Sequence, residues 1–99
     1  MWILQGSAPD AAPMTFRLAP GAVKTVGRAP RADFIVDAAL VSRLHCRLSA
    51  EDDRLEVVDL SSTNGTYVND RRVQRAVLTS GDRLRVGRLE LTIELEARG

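Results

Sequence analysis

An all-β fold, two antiparallel sheets packed as a β-sandwich, is predicted for this 99-residue chain by three observations. Short runs of alternating apolar and polar residues recur along its length. Turn-forming residues punctuate them at short, regular intervals. No window of helical length carries a 3.6-residue period; the best stretch, Asp37 to Leu44, is too short and too mixed.

The first strand is read at Trp2 to Leu4, followed by Ser7 to Pro13, whose serine, aspartate and prolines predict a floppy loop. Strands are then expected at Met14 to Leu18 and, after the Pro20-Gly21 turn, at Ala22 to Val26. Pro30 separates these from Phe34 to Val36. Cys46 to Leu48 and Leu55 to Leu60 flank the acidic turn Glu51-Asp52-Asp53, and Asn64-Gly65 leads into Thr66 to Val68. The clearest signal is the end of the chain. Leu89, Leu91, Ile93 and Leu95 alternate with Glu90, Thr92, Glu94 and Glu96, giving one apolar and one wet face. Leu84 and Val86 alternate likewise with Arg83 and Arg85, and Gly87-Arg88 between the two runs predicts an antiparallel hairpin.

The length suits one domain with one core, read as residues 1–99. Hydrophobic residues at 44% and charged residues at 27% are ordinary globular values. A net charge of +1 without blocks of like charge argues against a general nucleic-acid binder or a polybasic membrane anchor. No apolar run approaches the ~20 residues that span a bilayer, and no signal-peptide pattern precedes the first strand, so a cytoplasmic module without membrane insertion is expected. One cysteine, Cys46, excludes an internal disulfide. His45, the only histidine, adjoins it, and neighbours in a strand point to opposite faces, so neither a metal nor a cofactor is expected. Lys24 is the only lysine. The arginines that supply the other positive charges suit phosphate and carboxylate, and the arginine- and alanine-rich composition hints at a GC-rich bacterial genome.

Three polar motifs interrupt the strand pattern, each at a strand end: Gly27-Arg28, Ser42-Arg43-Leu44-His45 and Ser62-Thr63-Asn64-Gly65. Singly each has a plain reading. Gly27 suits a bulge, Arg28 a solvated charge, Ser42 a loop, and Asn64-Gly65 a hairpin turn. Their order and spacing are more specific. With Asp33 to Val36, Val58 to Asn69, Leu78, and Gly81-Asp82 through Val86-Gly87, the chain resembles the forkhead-associated (FHA) domain, a phosphothreonine-peptide-binding module. The resemblance covers roughly residues 14–95 and implies an FHA/SMAD-like sandwich with its binding site in the loops at one end.

A phosphothreonine brings about two negative charges and three acceptor oxygens, so it calls for an arginine fork and neutral donors held in advance. Arg28 can supply the fork, Ser42 and Thr63 hydroxyl donors, and Arg43 a second cation. Asn64, donor and acceptor at once, suits a peptide backbone. These are the roles the resemblance implies. Gly27 is expected to permit a close backbone approach and Gly65 to take a positive φ. By resemblance His45 is structural, its ring bonding the loops and steadying Ser42. Ser61, Ser62 and Thr66 are assigned to loop hydrogen bonds, and Trp2 and Cys46 to packing.

The implied function is phosphorylation-dependent protein–protein interaction: binding a phosphothreonine-containing peptide or protein, such as a Ser/Thr kinase or its substrate, in bacterial signal transduction. Preference for phosphothreonine over phosphoserine follows from the family. Three other readings compete with it. Ser42, His45 and Asp59 have the residue types of a hydrolytic triad, but a sandwich of 99 residues has little volume left for the pocket it needs, and no nucleophile-elbow, phosphate-loop or metal motif accompanies them, so no enzyme is expected. A phosphate-independent interaction module on the same fold is the main alternative, and keeping Arg28, Ser42, Thr63 and Asn64 together speaks against it. Strand addition at a sheet edge is compatible with either. Two positions depart from the family. Asp70 follows Asn69 where glycine is common, putting that turn in doubt and a negative charge near the rim. Leu40 stands where some members carry a basic group that selects an acidic residue downstream, so no acidic preference is expected there.

Overall fold

The computed structural model describes residues 1–96; residues 97–99, which the single-domain reading of 1–99 includes, lie outside the described residues. Eleven strands follow one another: β1 (Trp2–Ala8), β2 (Ala11–Leu18), β3 (Val23–Gly27), β4 (Phe34–Ile35), β5 (Cys46–Ala50), β6 (Leu55–Asp59), β7 (Thr66–Val68), β8 (Arg71–Val73), β9 (Arg75–Leu78), β10 (Arg83–Val86) and β11 (Leu89–Leu95). They form a six-stranded sheet ordered β2-β1-β11-β10-β7-β8 and a five-stranded sheet ordered β4-β3-β5-β6-β9. The pairing is antiparallel except where the two-residue β4 runs parallel to β3. No helix in the described residues is long and apolar enough to cross a membrane.

Period-two alternation places the core. Leu89, Leu91 and Ile93 of β11 are buried while Glu90, Thr92 and Glu94 are exposed, and Leu84 and Val86 of β10 face the same interior. The facing sheet contributes Val26, Leu48, Leu55, Val57 and Leu78. Burying one such side chain contributes about 1.5–3 kcal/mol, which fixes the register of both sheets. Trp2 packs in this core, and its indole N–H, too costly to bury unpaired, donates to the Glu51 carbonyl at 2.8 Å. Phe16 of β2 and Phe34 of β4 stack with centroids 4.4 Å apart, joining the two sheets.

Two sequence expectations need correction. Ser7 to Pro13 is not a floppy loop. β1 continues to Ala8, β2 begins at Ala11, and only Pro9-Asp10 turns between them. Pro13 is tolerated because β2 is an edge strand. The chain from Arg71 to Leu78, given no strand, supplies β8 and β9. The antiparallel sandwich expected from the sequence is otherwise what forms, with β3 and β4 its one parallel pair.

Candidate functional site

Loops between β3 and β4, β4 and β5, and β6 and β7 meet at one end of the sandwich around an open cleft of about 890 Å³. Arg28, Ser42, Arg43, Thr63 and Asn64 all line it, although up to 36 residues of chain separate them (64 − 28). Asp10, from the β1–β2 turn, and Asp37 also line it, and the sequence had not marked either.

Two loops are stitched side by side at the base. Arg28 and Ala29 N–H groups donate to the Ser42 and Arg43 carbonyls, and His45 N–H donates to the Val26 carbonyl, at 2.8–3.0 Å. Gly27 lies inside this seam. A Cβ there would overlap the Arg43 carbonyl group, so only glycine permits the approach.

Ser42 is held at three atoms. Its carbonyl accepts from Arg28, its N–H donates to His45 Nδ1 at 3.0 Å, and its Oγ accepts the Thr63 N–H at 3.0 Å. With that lone pair engaged, the hydroxyl proton is free to donate to a ligand. His45 is wholly buried, and its other nitrogen, Nε2, donates to the Gly65 carbonyl at 2.8 Å. The ring therefore spans both loops as one neutral tautomer. Burial lowers its pKa below the usual histidine value, against opposing effects of the Gly65 carbonyl and the Asp59 charge.

Leu40 and Val41 aim successive carbonyls at two site residues. Leu40 O accepts from Asn64 Nδ2, and Val41 O accepts from Arg28 Nε, both at 3.1 Å. The second bond orients the guanidinium while leaving its two terminal amino groups unused by it. Leu40 takes φ 69°, the left-handed region that a leucine rarely occupies. Asp10 braces this stretch by accepting the Ala39 N–H at 2.6 Å. Among the described residues neither Arg28 nor Arg43 is in an ion pair.

The 59–66 loop is organised by Asp59. Its carboxylate accepts from the Ser62 N–H, the Ser62 hydroxyl and the Thr66 hydroxyl, and Ser62 Oγ accepts the Gly65 N–H in turn. Burial alone would raise its pKa, but these donors hold it below the ordinary aspartate value. Ser62 and Thr66 thus make loop hydrogen bonds, whereas Ser61, of which one was also expected, makes none among the described residues and instead lines the cleft at φ 58°. Gly65 has φ 87°, as a turn beside Asn64 requires. The spacing of aspartate and serine three residues apart, an Asx-type pattern, was a signal that could have identified Asp59.

A hydrolytic triad is not assembled. Both His45 ring nitrogens are occupied by backbone groups, and the Asp59 carboxylate by hydroxyls and an amide. Burial pushes the Cys46 thiol up to about 12, the charge of Asp59 adding to the effect, so it is no nucleophile at neutral pH. Among the described residues no group of three His, Cys, Asp or Glu could hold a metal ion.

The doubtful turn at Asn69-Asp70 is well formed. Both residues take positive φ, 49° and 68°, as a type I′ hairpin between β7 and β8 demands. Asn69 is tied to Asp82 and to the Arg83 backbone, Asp70 pairs with Arg83 at 3.4 Å, and neither lines the cleft.

Comparison with known proteins adds four relationships. The family model described as "FHA domain" matches residues 24–87. Glycogen accumulation regulator GarA of Mycobacterium tuberculosis is 41% identical over 70 residues, covering 71% of this chain and 43% of that protein. Among solved structures, an FHA domain from a structural and functional analysis of phosphothreonine-dependent FHA domain interactions superposes with a TM-score of 0.86 at 32% identity, covering 98% of each chain. The FhaA FHA domain, complexed with the intracellular domain of Rv3910, gives 0.83 at 33%, covering 95% of this chain and 100% of that one. The chain spans less than half the length of the curated relatives it matches.

Proposed function

The chain belongs to the FHA domain family, and on that premise we propose that its loop cleft binds a phosphothreonine-containing segment of a partner protein. Residues 1–99 act as a single recognition module without catalysis of its own, converting the output of a Ser/Thr kinase into an association. The kinase itself or one of its substrates is the partner, and the setting is bacterial and cytoplasmic.

One observation carries this reading. Arg28, Ser42 and Thr63 converge on one cleft, held by backbone and ring contacts in advance of any ligand, with Arg28 and Arg43 in no ion pair among the described residues. Such preorganisation favours a dianionic group, because the donors need little reordering and the cations no carboxylate to displace. Asn64, tied to the Leu40 carbonyl through one amide hydrogen, keeps its other N–H and its Oδ1 for a peptide main chain. That GarA is named a regulator, and that related FHA domains were studied for phosphothreonine-dependent interactions, supports the same reading.

The test is binding of the purified chain to degenerate phosphothreonine, phosphoserine and unphosphorylated peptide libraries, with Arg28→Ala as control. Binding confined to phosphothreonine and lost in the variant is expected. Folded protein that retains no peptide from any library would instead point to a phosphate-independent interaction module.

A further inference from the structure

Arg72 stands on β8, outside the motifs that mark the cleft, yet its side chain runs across Gly65, the residue after the cleft-lining Asn64. It pairs across the sheet with Tyr67, and Gly65, two residues before Tyr67, lies on the same sheet face. A Cβ placed on Gly65 would stand 2.7, 3.0 and 3.2 Å from Arg72 Nε, Cζ and Cδ. The guanidinium therefore lies over the Gly65 α-carbon, directly beside Asn64. Glycine at position 65 serves two ends, the positive φ of the turn and the passage of this side chain.

Nothing among the described residues neutralises Arg72. The nearby acids are engaged elsewhere, Asp70 and Glu90 both with Arg83. Arg85, on the other side of Tyr67, is stacked on the ring 4.2 Å from its centroid. Arg72 is thus an exposed cation held against the loop that carries Thr63 and Asn64.

We propose that Arg72 forms an anion subsite on the Gly65 side of Asn64, which holds a second acidic group of the phosphorylated segment, a carboxylate or another phosphate. This rests on the cleft being the phosphothreonine site. It differs from the position beside Leu40, whose own side chain is apolar. Arginine's fork suits either oxyanion.

The experiment compares phosphothreonine peptides that carry, at each flanking position in turn, alanine, lysine, glutamate or phosphoserine, against the full chain and its Arg72→Ala and Arg72→Glu variants. In the wild type, glutamate at one or two positions strengthens binding about threefold over alanine, and phosphoserine about tenfold. A gain with glutamate shows that a carboxylate suffices, and a gain confined to phosphoserine identifies a phosphate as the source. The ratio of acidic to alanine peptide falls to about one in Arg72→Ala, and Arg72→Glu prefers lysine at the same position. No acidic gain in the wild type, or an equal gain in wild type and Arg72→Ala, would overturn the subsite while leaving the phosphothreonine site standing. Failure of the alanine-flanked phosphothreonine peptide to bind the wild type would overturn both.

Discussion

The backbone N–H of Thr63 donates to the Ser42 hydroxyl oxygen at 3.0 Å, joining two loops 21 residues apart in the chain. One bond thus serves both shape and chemistry, fixing the β6–β7 loop and directing the serine proton away from it. Ser42→Ala is expected to weaken phosphopeptide binding by about 1.5–3 kcal/mol, the usual worth of a hydrogen bond to a charged group. The half-exposed Thr63 N–H can turn to water, so the melting temperature should fall little. Calorimetry of binding and unfolding on the same sample separates the two effects.

Arg28 presents its guanidinium on an anchor, the Nε bond to Val41 O. Arg28→Ala should cost about 2–5 kcal/mol of affinity, as truncating one partner of a desolvated charge pair does. Arg28→Lys should restore only a small part, since an ammonium keeps the charge but loses both the Val41 anchor and the fork. Titration of one phosphothreonine peptide against all three proteins decides this. Full rescue by lysine would mean that geometry is irrelevant there.

What the sequence revealed followed from how locally each feature is encoded. β10 and β11 were readable in full, because Leu84 and Val86 in one, and Leu89, Leu91, Ile93 and Leu95 in the other, alternate with polar residues, and that period is the strand's own. β8 and β9 were not, because Arg71, Arg72 and Arg75 lie exposed near the sheet edges and show no alternation. Ser7 to Pro13 misled because proline and aspartate there mark a two-residue turn and an edge strand, not a long loop. In the site, Arg28, Ser42, Thr63 and Asn64 were readable as motifs. The contacts that position them were not: the Val41 and Leu40 carbonyls, Asp10 against Ala39, and Arg72 over Gly65 all depend on long-range folding.

Gly27 tests the seam between loops. Any side chain there meets the Arg43 carbonyl, backbone that cannot rotate away, so the end of β3 and the β4–β5 loop must separate. Gly27→Ala is expected to destabilise by about 2 kcal/mol or more and to lower phosphopeptide affinity by displacing Arg28 and Arg43 together. Denaturant unfolding followed by peptide titration checks both.

Asp59 holds the β6–β7 loop through Ser62 and Thr66 in a buried setting. Asp59→Ala leaves the two hydroxyls and the Ser62 N–H without their acceptor, an expected loss of about 2–4 kcal/mol. Its pKa is depressed, so its contribution is present above the ordinary aspartate value and disappears as the pH falls through the folded-state value. Urea midpoints of wild type and variant should therefore converge only in strong acid.

His45 gives the domain a second, higher window of pH dependence. Its folded-state pKa is lowered by burial, so the unfolded chain binds more protons once the pH drops below about 6.5. Stability from the neutral ring is complete above that value and declines as the pH falls toward the depressed folded-state pKa. The other shifted groups with lowered values, Asp33, Asp59 and Asp82, act only below the ordinary aspartate range, so pH 5 to 7 isolates the single histidine. His45→Ala, which strands the Ser42 N–H and the Gly65 carbonyl, should be about 2–4 kcal/mol less stable than wild type at pH 7.5. That difference should shrink at pH 5, because only the wild type loses the neutral-ring contribution. Stability is the clean readout, since a phosphopeptide's own second ionisation, near pH 6, changes affinity over the same range. A gap that stays constant from pH 7.5 to 5 would show that the ring is not held neutral between the two loops.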